Sequence, residues 1–245
     1  MERRTYNEFC GLAKALDVVG ERWTLLVVRN LLLGPLRYSE LLRGLPGITT
    51  NLLAKRLKEM EENGLVERVR APGEGGSAYR LAPLGEALEP VVHALGRWGW
   101  NRMTRPGADE HRSVEWLFVA LRRRYRGGAS LRAEVVADGV PYRFVLAPER
   151  AEIARGGVEG PELRVRAPGM ALAALFLHGW PAEGAPEGVA VEGEGGEARL
   201  RALVEAFERG DPRVERPGEG GARSPRHAAE AGRSAIEVPP SSEFA

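Results

Sequence analysis

Apolar residues recur at helical spacing through most of the first hundred positions. Residues 10–19 carry one such face, and Gly20-Glu21-Arg22 breaks it. Residues 23–33 are apolar nearly all round, the pattern of a helix buried at the centre of a small bundle, and Gly34-Pro35 stops them. Residues 38–43 predict a short third helix, with Leu45-Pro46-Gly47 as the turn before a fourth. That fourth helix, residues 49–63, has both ends marked. The hydroxyl of Thr49 or Thr50 caps its first turn, and Asn63-Gly64 suits a left-handed exit. Leu53, Leu57, Met60 and Gly64 form its apolar stripe, with Asn51, Lys55, Lys58, Glu59 and Glu62 on the other side. Its bases sit mid-helix and its acids toward the C-terminus, against the helix dipole, so this charge pattern does not serve helix stability.

The period then changes. Residues 65–70 alternate as a strand, the loop 71–77 is rich in glycine, and residues 78–81 return as a second short strand. A short helix, a glycine-containing turn, a polar-fronted helix and a basic hairpin predict a winged helix-turn-helix. In that architecture the helix enters the major groove and the wing lies beside the phosphates. Residues 83–100 predict a long apolar helix in which Pro90 makes a kink or a junction. It has more apolar surface than a small winged domain needs, which marks it as a dimer seam. The polar, Pro- and Gly-containing residues 105–110 are the predicted domain boundary.

In the second half, Val114, Leu117, Phe118, Leu121 and Tyr125 share a helical face, with Arg122, Arg123, Arg124 and Arg126 opposite. Residues 131–137 alternate, Asp138-Gly139 signals a hairpin, and residues 142–146 return. Residues 162–166 and 189–192 predict further strands, 168–178 a strongly apolar helix and 197–209 an amphipathic one. Strands meeting in hairpins and interrupted by helices make an α+β domain. From about residue 215 Pro, Gly, Ser, Arg and Glu dominate, the composition of a disordered segment. The expected fold class is therefore α+β. A winged helix-turn-helix domain over residues 1–105 precedes a smaller α+β domain over 112–213 and a disordered tail over 215–245.

Composition narrows this picture without redirecting it. A net charge of +1 does not advertise a polyanion partner, so DNA binding requires local concentration of charge. Only Lys14, Lys55 and Lys58 of the 35 basic residues are lysines; with abundant Ala, Gly and Pro, this reflects a GC-rich genome rather than selection for arginine chemistry. The single cysteine, Cys10, excludes an internal disulfide framework and fits a reducing compartment. No run approaches the roughly 18 apolar residues that span a bilayer, and residues 1–6 lack a following apolar core that would make a signal peptide. A soluble, cytoplasmic protein with no membrane partner is expected.

Cys10, residues 15–26, 33–41 and 45–49, Leu53, Arg56-Leu57, residues 64–68, Tyr79-Arg80-Leu81 and Trp98-Gly99 together resemble the HxlR-type branch of the MarR-like winged-helix transcriptional regulators. The resemblance covers about two-fifths of the chain. It implies a homodimeric regulator that binds double-stranded DNA at a palindromic operator through the helix of residues 49–63. It also implies that Cys10 is a candidate sensor of oxidants or electrophiles. Arg3, Arg4 and Lys14 suit its thiolate, and the alternative is a buried or merely tolerated thiol, because a lone cysteine has no resolving partner within the chain. One position departs from the family, Gly11, where proline usually follows the cysteine. Residues 112–210 resemble a sterol carrier protein-like domain more loosely. The cues are the hairpin at Asp138-Gly139, the apolar helix of residues 171–177, and residues 188–193 leading into a terminal helix. This second resemblance implies an apolar cavity for a hydrophobic small molecule, with Phe144, Leu146, Met170, Leu172, Leu175 and Phe176 as candidate lining. The same residues at the same spacing also suit a filled core.

Thr49, Thr50 and Asn51 occupy the first turn, where Asn pairs with adenine and a Thr methyl meets thymine. Lys55, Arg56 and Lys58 suit phosphate positioning, and Arg68, Arg70 and Arg80 suit backbone or minor-groove contact from the wing. Arg56 has an alternative within the domain, pairing with Glu40 or Glu59. Enzyme chemistry finds no constellation. His93, His111, His178 and His227 are scattered without metal-ligand spacing, no nucleophile elbow or phosphate loop occurs, and no catalytic residue, metal or cofactor is expected. The rival to a transcriptional regulator is a lipid- or small-molecule-binding protein whose winged helix serves dimerisation or protein contact.

Overall fold

The computed structural model describes residues 5–71, 75–100, 102–103, 110–125 and 127–208. Arg3, Arg4, Arg126, residues 105–109 of the expected boundary and the tail from residue 215 lie outside that set.

Four helices open the chain: α1 (Gly11–Val19), α2 (Thr24–Leu31), α3 (Tyr38–Arg43) and α4 (Thr50–Glu62). Thr49 caps α4, its hydroxyl accepting from the Leu52 N–H at 3.3 Å, and Gly64 leaves it at φ +67. The antiparallel wing follows as β1 (Val66–Arg70) and β2 (Ser77–Leu81). Leu36 adds a bridge to Tyr79, so the wing is anchored at the start of α3. Leu33, Leu41, Leu45, Leu53, Leu57, Met60 and Leu65 fill the core of this half.

The long helix expected over residues 83–100 is two: α5 (Pro83–Glu86) and α6 (Glu89–Trp100). The break falls at residues 87–88. Pro90 sits in the first turn of α6, where a proline has no helical hydrogen bond to lose. No residue of α6 is buried, and α1 buries only Ala13.

The second half runs α7 (Val114–Arg124), β3 (Leu131–Ala137), β4 (Val140–Ala147), β5 (Arg150–Arg155), β6 (Leu163–Ala167), α8 (Gly169–His178), β7 (Ala190–Glu192) and α9 (Gly196–Glu208). Asp138 and Gly139 both take positive φ, the geometry of the tight turn that joins twisted strands. The sheet order is β5-β4-β3-β6-β7, with β3 and β6 parallel and the other neighbours antiparallel. β5 was not anticipated from the sequence. Alternate residues face inward, including Val135, Tyr142, Phe144, Ile153 and Val165. Phe118 of α7, Phe176 of α8 and Phe207 of α9 all meet Phe144, with ring centroids 5.1–6.3 Å apart.

The described residues all fall in one compact unit, Met1–Pro212. The two halves meet at the C-terminal end of α2, where a helix leaves its last carbonyls unpaired. Guanidinium groups from the second half supply the donors. Arg122 reaches the Leu32 carbonyl at 2.6 Å, and Arg155 reaches those of Asn30 and Gly34 at 3.1 and 3.4 Å. The Arg155 main chain also donates to the Leu33 carbonyl at 2.7 Å. Cations at this end complement the helix dipole. Arg122 and Arg124 therefore do not form the free basic face expected for α7: Arg122 also pairs with Glu89 at 3.0 Å, and Arg124 donates to the Phe176 carbonyl. No helix among the described residues is long and apolar enough to cross a membrane.

Candidate nucleic-acid interface

The buried stripe of α4 is Leu53, Leu57 and Met60. Asn51, Lys55 and Lys58 are exposed and, at 3.6 residues per turn, lie on the opposite side of the helix. Thr49 and Thr50 are exposed at its start. The hydroxyl of Tyr38, the first residue of α3, donates to the Thr50 carbonyl at 2.6 Å, fixing one helix against the front of the next. Lys55 and Lys58 pair loosely with Glu59 and Glu62 at 3.8 and 3.9 Å. Exposed pairs of this kind are worth little, and Lys preceding Glu is the weaker order, so both ammonium groups stay available to a phosphate.

Arg56 is placed differently. It falls one turn after Leu53, on the flank of the buried stripe, and only 6% of it is accessible. Its guanidinium is held by Glu59 at 2.6 Å and Glu21 at 2.9 Å. The intradomain alternative describes it, with Glu59 as one partner; Glu21, from the loop after α1, was not foreseen.

The wing register separates the three arginines. Arg68 faces Tyr79 and Arg70 faces Ser77 across the strands, whereas Arg80 faces Glu67 on the other side of the ribbon. Arg80 pairs with Glu67 at 2.6 Å. Arg68 lies 3.1 Å from Glu61 and 5.3 Å from the centre of the Tyr79 ring. Arg70 is exposed and makes no ion pair among the described residues. At the far end of the wing, Arg37 donates to the Gly75 carbonyl at 2.8 Å and ties the turn back to α3. Residues 72–74 lie outside the described set.

Cys10 is exposed at the start of α1. The backbone N–H groups of Ala13 and Leu12 pull its thiol below the ordinary value. Lys14, expected to favour the thiolate, turns instead to Asp17 at 4.0 Å.

Of the six candidate pocket residues, Phe144, Leu146, Leu172, Leu175 and Phe176 are buried against one another and the neighbouring rings. Met170 departs from them at 54% exposure. α8 is apolar nearly all round, so its sequence did not say which side faces the sheet. An open groove of about 610 Å³ lies elsewhere, lined by Glu89, His93 and Arg97 of α6 and by Arg122 and Arg123 of α7. Burial pushes the Glu89 carboxyl up, but the His93 hydrogen bond and the Arg122 charge outweigh it and hold the group below its ordinary value.

A capped helix with an exposed polar front, seated on a helix pair and followed by a two-stranded wing, defines a winged helix-turn-helix of the DNA-binding class. A model of the HxlR-like helix-turn-helix family matches residues 18–106. The chain is similar to the HTH-type transcriptional regulator YtcD of Bacillus subtilis (strain 168), at 31% identity over 118 residues that make up 47% of this chain and 90% of YtcD. It is similar to the HTH-type transcriptional regulator YkvN of the same organism, at 39% identity over 93 residues, 37% of this chain and 77% of YkvN. The solved reduced form of the transcriptional regulator YodB from B. subtilis matches at 33% identity with a TM-score of 0.34, covering 41% of this chain and 99% of that one. This chain belongs to the HxlR-like helix-turn-helix family. The family match ends at residue 106, before α7 begins.

Proposed function

We propose that the protein is a cytoplasmic, homodimeric transcriptional regulator that reads a palindromic operator with the front of α4. Asn51, with Thr49 and Thr50, contacts base edges; Lys55 and Lys58 position the helix on phosphates; Arg68 and Arg70 approach the backbone from one face of the wing. The observation that carries this reading is the exposed stripe of Asn51, Lys55 and Lys58 opposite the buried stripe of the same helix. Arg56 and Arg80, held by Glu59, Glu21 and Glu67, support the shape of the site rather than contact DNA. A gel shift on a duplex selected from a random library tests the reading. Affinity that falls steeply with salt supports it, and a winged helix with no salt-dependent DNA affinity makes dimerisation or protein contact its role.

Dimerisation is supported by apolar side chains that this chain leaves uncovered. Val91, Leu95 and Trp98 are exposed along one stripe of α6, as are Leu12 and Leu16 on α1 and Phe9 just before it. A second copy related by a two-fold axis covers both helices and spaces two α4 helices about one turn of DNA apart. Cys10, with its lowered thiol, serves as the oxidant- or electrophile-sensitive group beside this seam.

The domain of residues 112–213 is read as a sterol carrier-like fold whose interior is filled by its own rings. A hydrophobic ligand enters only by displacing Phe144 and Phe176, which lie 6.0 Å apart and nearly parallel. Calorimetric titration with a fatty acyl and sterol-like panel, with and without operator, tests this. Heat that disappears in Leu175→Trp identifies a ligand pocket; no heat leaves the filled core.

A further inference from the structure

The second half of the chain lies outside the family match, yet it grips the helix-turn-helix around the end of α2, where Asn30 is engaged by both its side chain and its main chain. This side chain is buried at 4% exposure, and its amide is used at both ends. Arg29 donates to Oδ1 from Nε and Nη2 at 3.1 and 3.0 Å. Nδ2 donates to the Gly44 carbonyl at 3.0 Å. Arginine has donors only and a carbonyl accepts only, so the amide fits one way round. Gly44 closes α3 and begins the turn that leads into α4. Its N–H donates to the Glu40 carbonyl at 2.9 Å.

The position of Arg29 is set in turn from the second half. Its guanidinium lies 4.1 Å from the centre of the Trp116 ring of α7, a cation–π contact. The neighbouring residue of α7, Glu115, holds Arg155 with two hydrogen bonds of 2.6 and 3.1 Å. It also accepts from the hydroxyl of Tyr142 in β4. Arg155 then donates to the Asn30 carbonyl at 3.1 Å. Asn30 is thus held by its side chain through Trp116 and Arg29, and by its main chain through Glu115 and Arg155.

We propose that Trp116 and Glu115 are positioning residues for DNA recognition, acting through Arg29 and Asn30 on the Gly44 turn that orients α4. This rests on the DNA-binding reading of α4. The second half, in this account, holds the recognition helix in its reading geometry, and a shift of α7 changes operator affinity without touching DNA. Coupling of this kind is carried by contiguous hydrogen bonds and packed side chains that have few alternative arrangements.

The test uses the full chain and three variants. Trp116→Leu removes the ring face, Trp116→Phe keeps one, and Arg29→Lys keeps the charge but loses the two-pronged grip on Asn30. Two readouts are taken: affinity for a duplex selected by the wild type, and amide hydrogen exchange. Trp116→Leu and Arg29→Lys are expected to weaken operator binding about two- to thirtyfold. The salt slope should not change, because no phosphate contact is lost. Exchange should rise in residues 41–49 and stay unchanged in β1 and β2. Trp116→Phe should return both readouts toward wild type. Unchanged exchange in residues 41–49 overturns the proposal, as does a Phe variant no better than the Leu variant. Failure of the wild type to bind any duplex overturns the DNA reading instead, and the exchange arm still decides whether α7 holds the turn. If Trp116→Leu does not fold, Arg29→Lys carries both measurements.

Discussion

The two halves of this chain bury their apolar residues in different ways. In the second half Phe118, Tyr142, Phe144, Phe176 and Phe207 are all fully buried around one sheet face. The first half packs mainly leucines and valines, with Ile48, Met60 and a single buried aromatic, Tyr79, and leaves two of its helices largely uncovered. Of the large apolar residues that stand exposed among the described residues, only Val140, Met170 and Leu177 come from the second half; the others, from Tyr6 to Met103, precede it. An exposed apolar residue is ordinary by itself, but a stripe at helical spacing on two helices is not. In the proposed reading the first half meets other molecules, DNA through α4 and a second copy through α1 and α6, whereas the second largely closes on itself.

Stability mutants sharpen this contrast most strongly. Phe176→Ala removes a ring with 1% exposure that meets three other aromatic rings, and should cost about 3–5 kcal/mol of unfolding free energy. Trp98→Ala, at an aromatic that is 65% exposed, should leave denaturant unfolding of the monomer nearly unchanged. Similar losses at both sites would erase the contrast.

The seam is the next largest effect. Leu95→Glu places a charge in the middle of the α6 stripe and should weaken self-association by about 2 kcal/mol or more, read by sedimentation equilibrium. A variant that associates like the wild type moves the dimer contact elsewhere.

On α4 the effect should divide by chemistry. Asn51→Ala should cost about 1–3 kcal/mol at one base position of each half-site and relax preference there. Arg70→Ala should weaken all sequences alike and lower the salt slope by about 1. Repeated selection with each variant measures both, and an unchanged site for Asn51→Ala removes it from readout.

The smallest effect concerns Cys10. A thiol held below its ordinary value carries more thiolate at neutral pH, so alkylation should outpace that of a free cysteine and its rate should level off at lower pH. A rate–pH profile matching free cysteine leaves Cys10 an ordinary exposed thiol.

Much of the first half was legible because its signals are local. Thr49, Gly64 and the Leu53, Leu57, Met60 stripe mark α4 within a few residues of one another, and the structure places the helix where they put it. For Arg56 the charge suits a phosphate and the position suits the domain: Leu53, Arg56, Leu57 and Met60 follow one helical face, and its buried place is readable from that spacing. β5 escaped notice because Ile153 is the single large apolar residue in Arg150–Arg155, and an edge strand needs no more. The joint at Asn30 had no sequence signal at all. Its partners come from Gly44, Glu115, Trp116 and Arg155, brought together only by folding, and a lone Asn inside an apolar helix gives no hint of what its amide meets.

The salt dependence of DNA binding tests the central claim most directly. Binding of the selected duplex is measured across a salt series for wild type, Lys55→Ala and Lys58→Ala. The wild type should give a linear, steep fall of log affinity with log salt, and each lysine variant should lower the slope by about 1 while keeping the same sequence preference. Affinity that does not depend on salt, or lysine variants with the wild-type slope, would contradict a recognition helix that docks through the exposed face of α4.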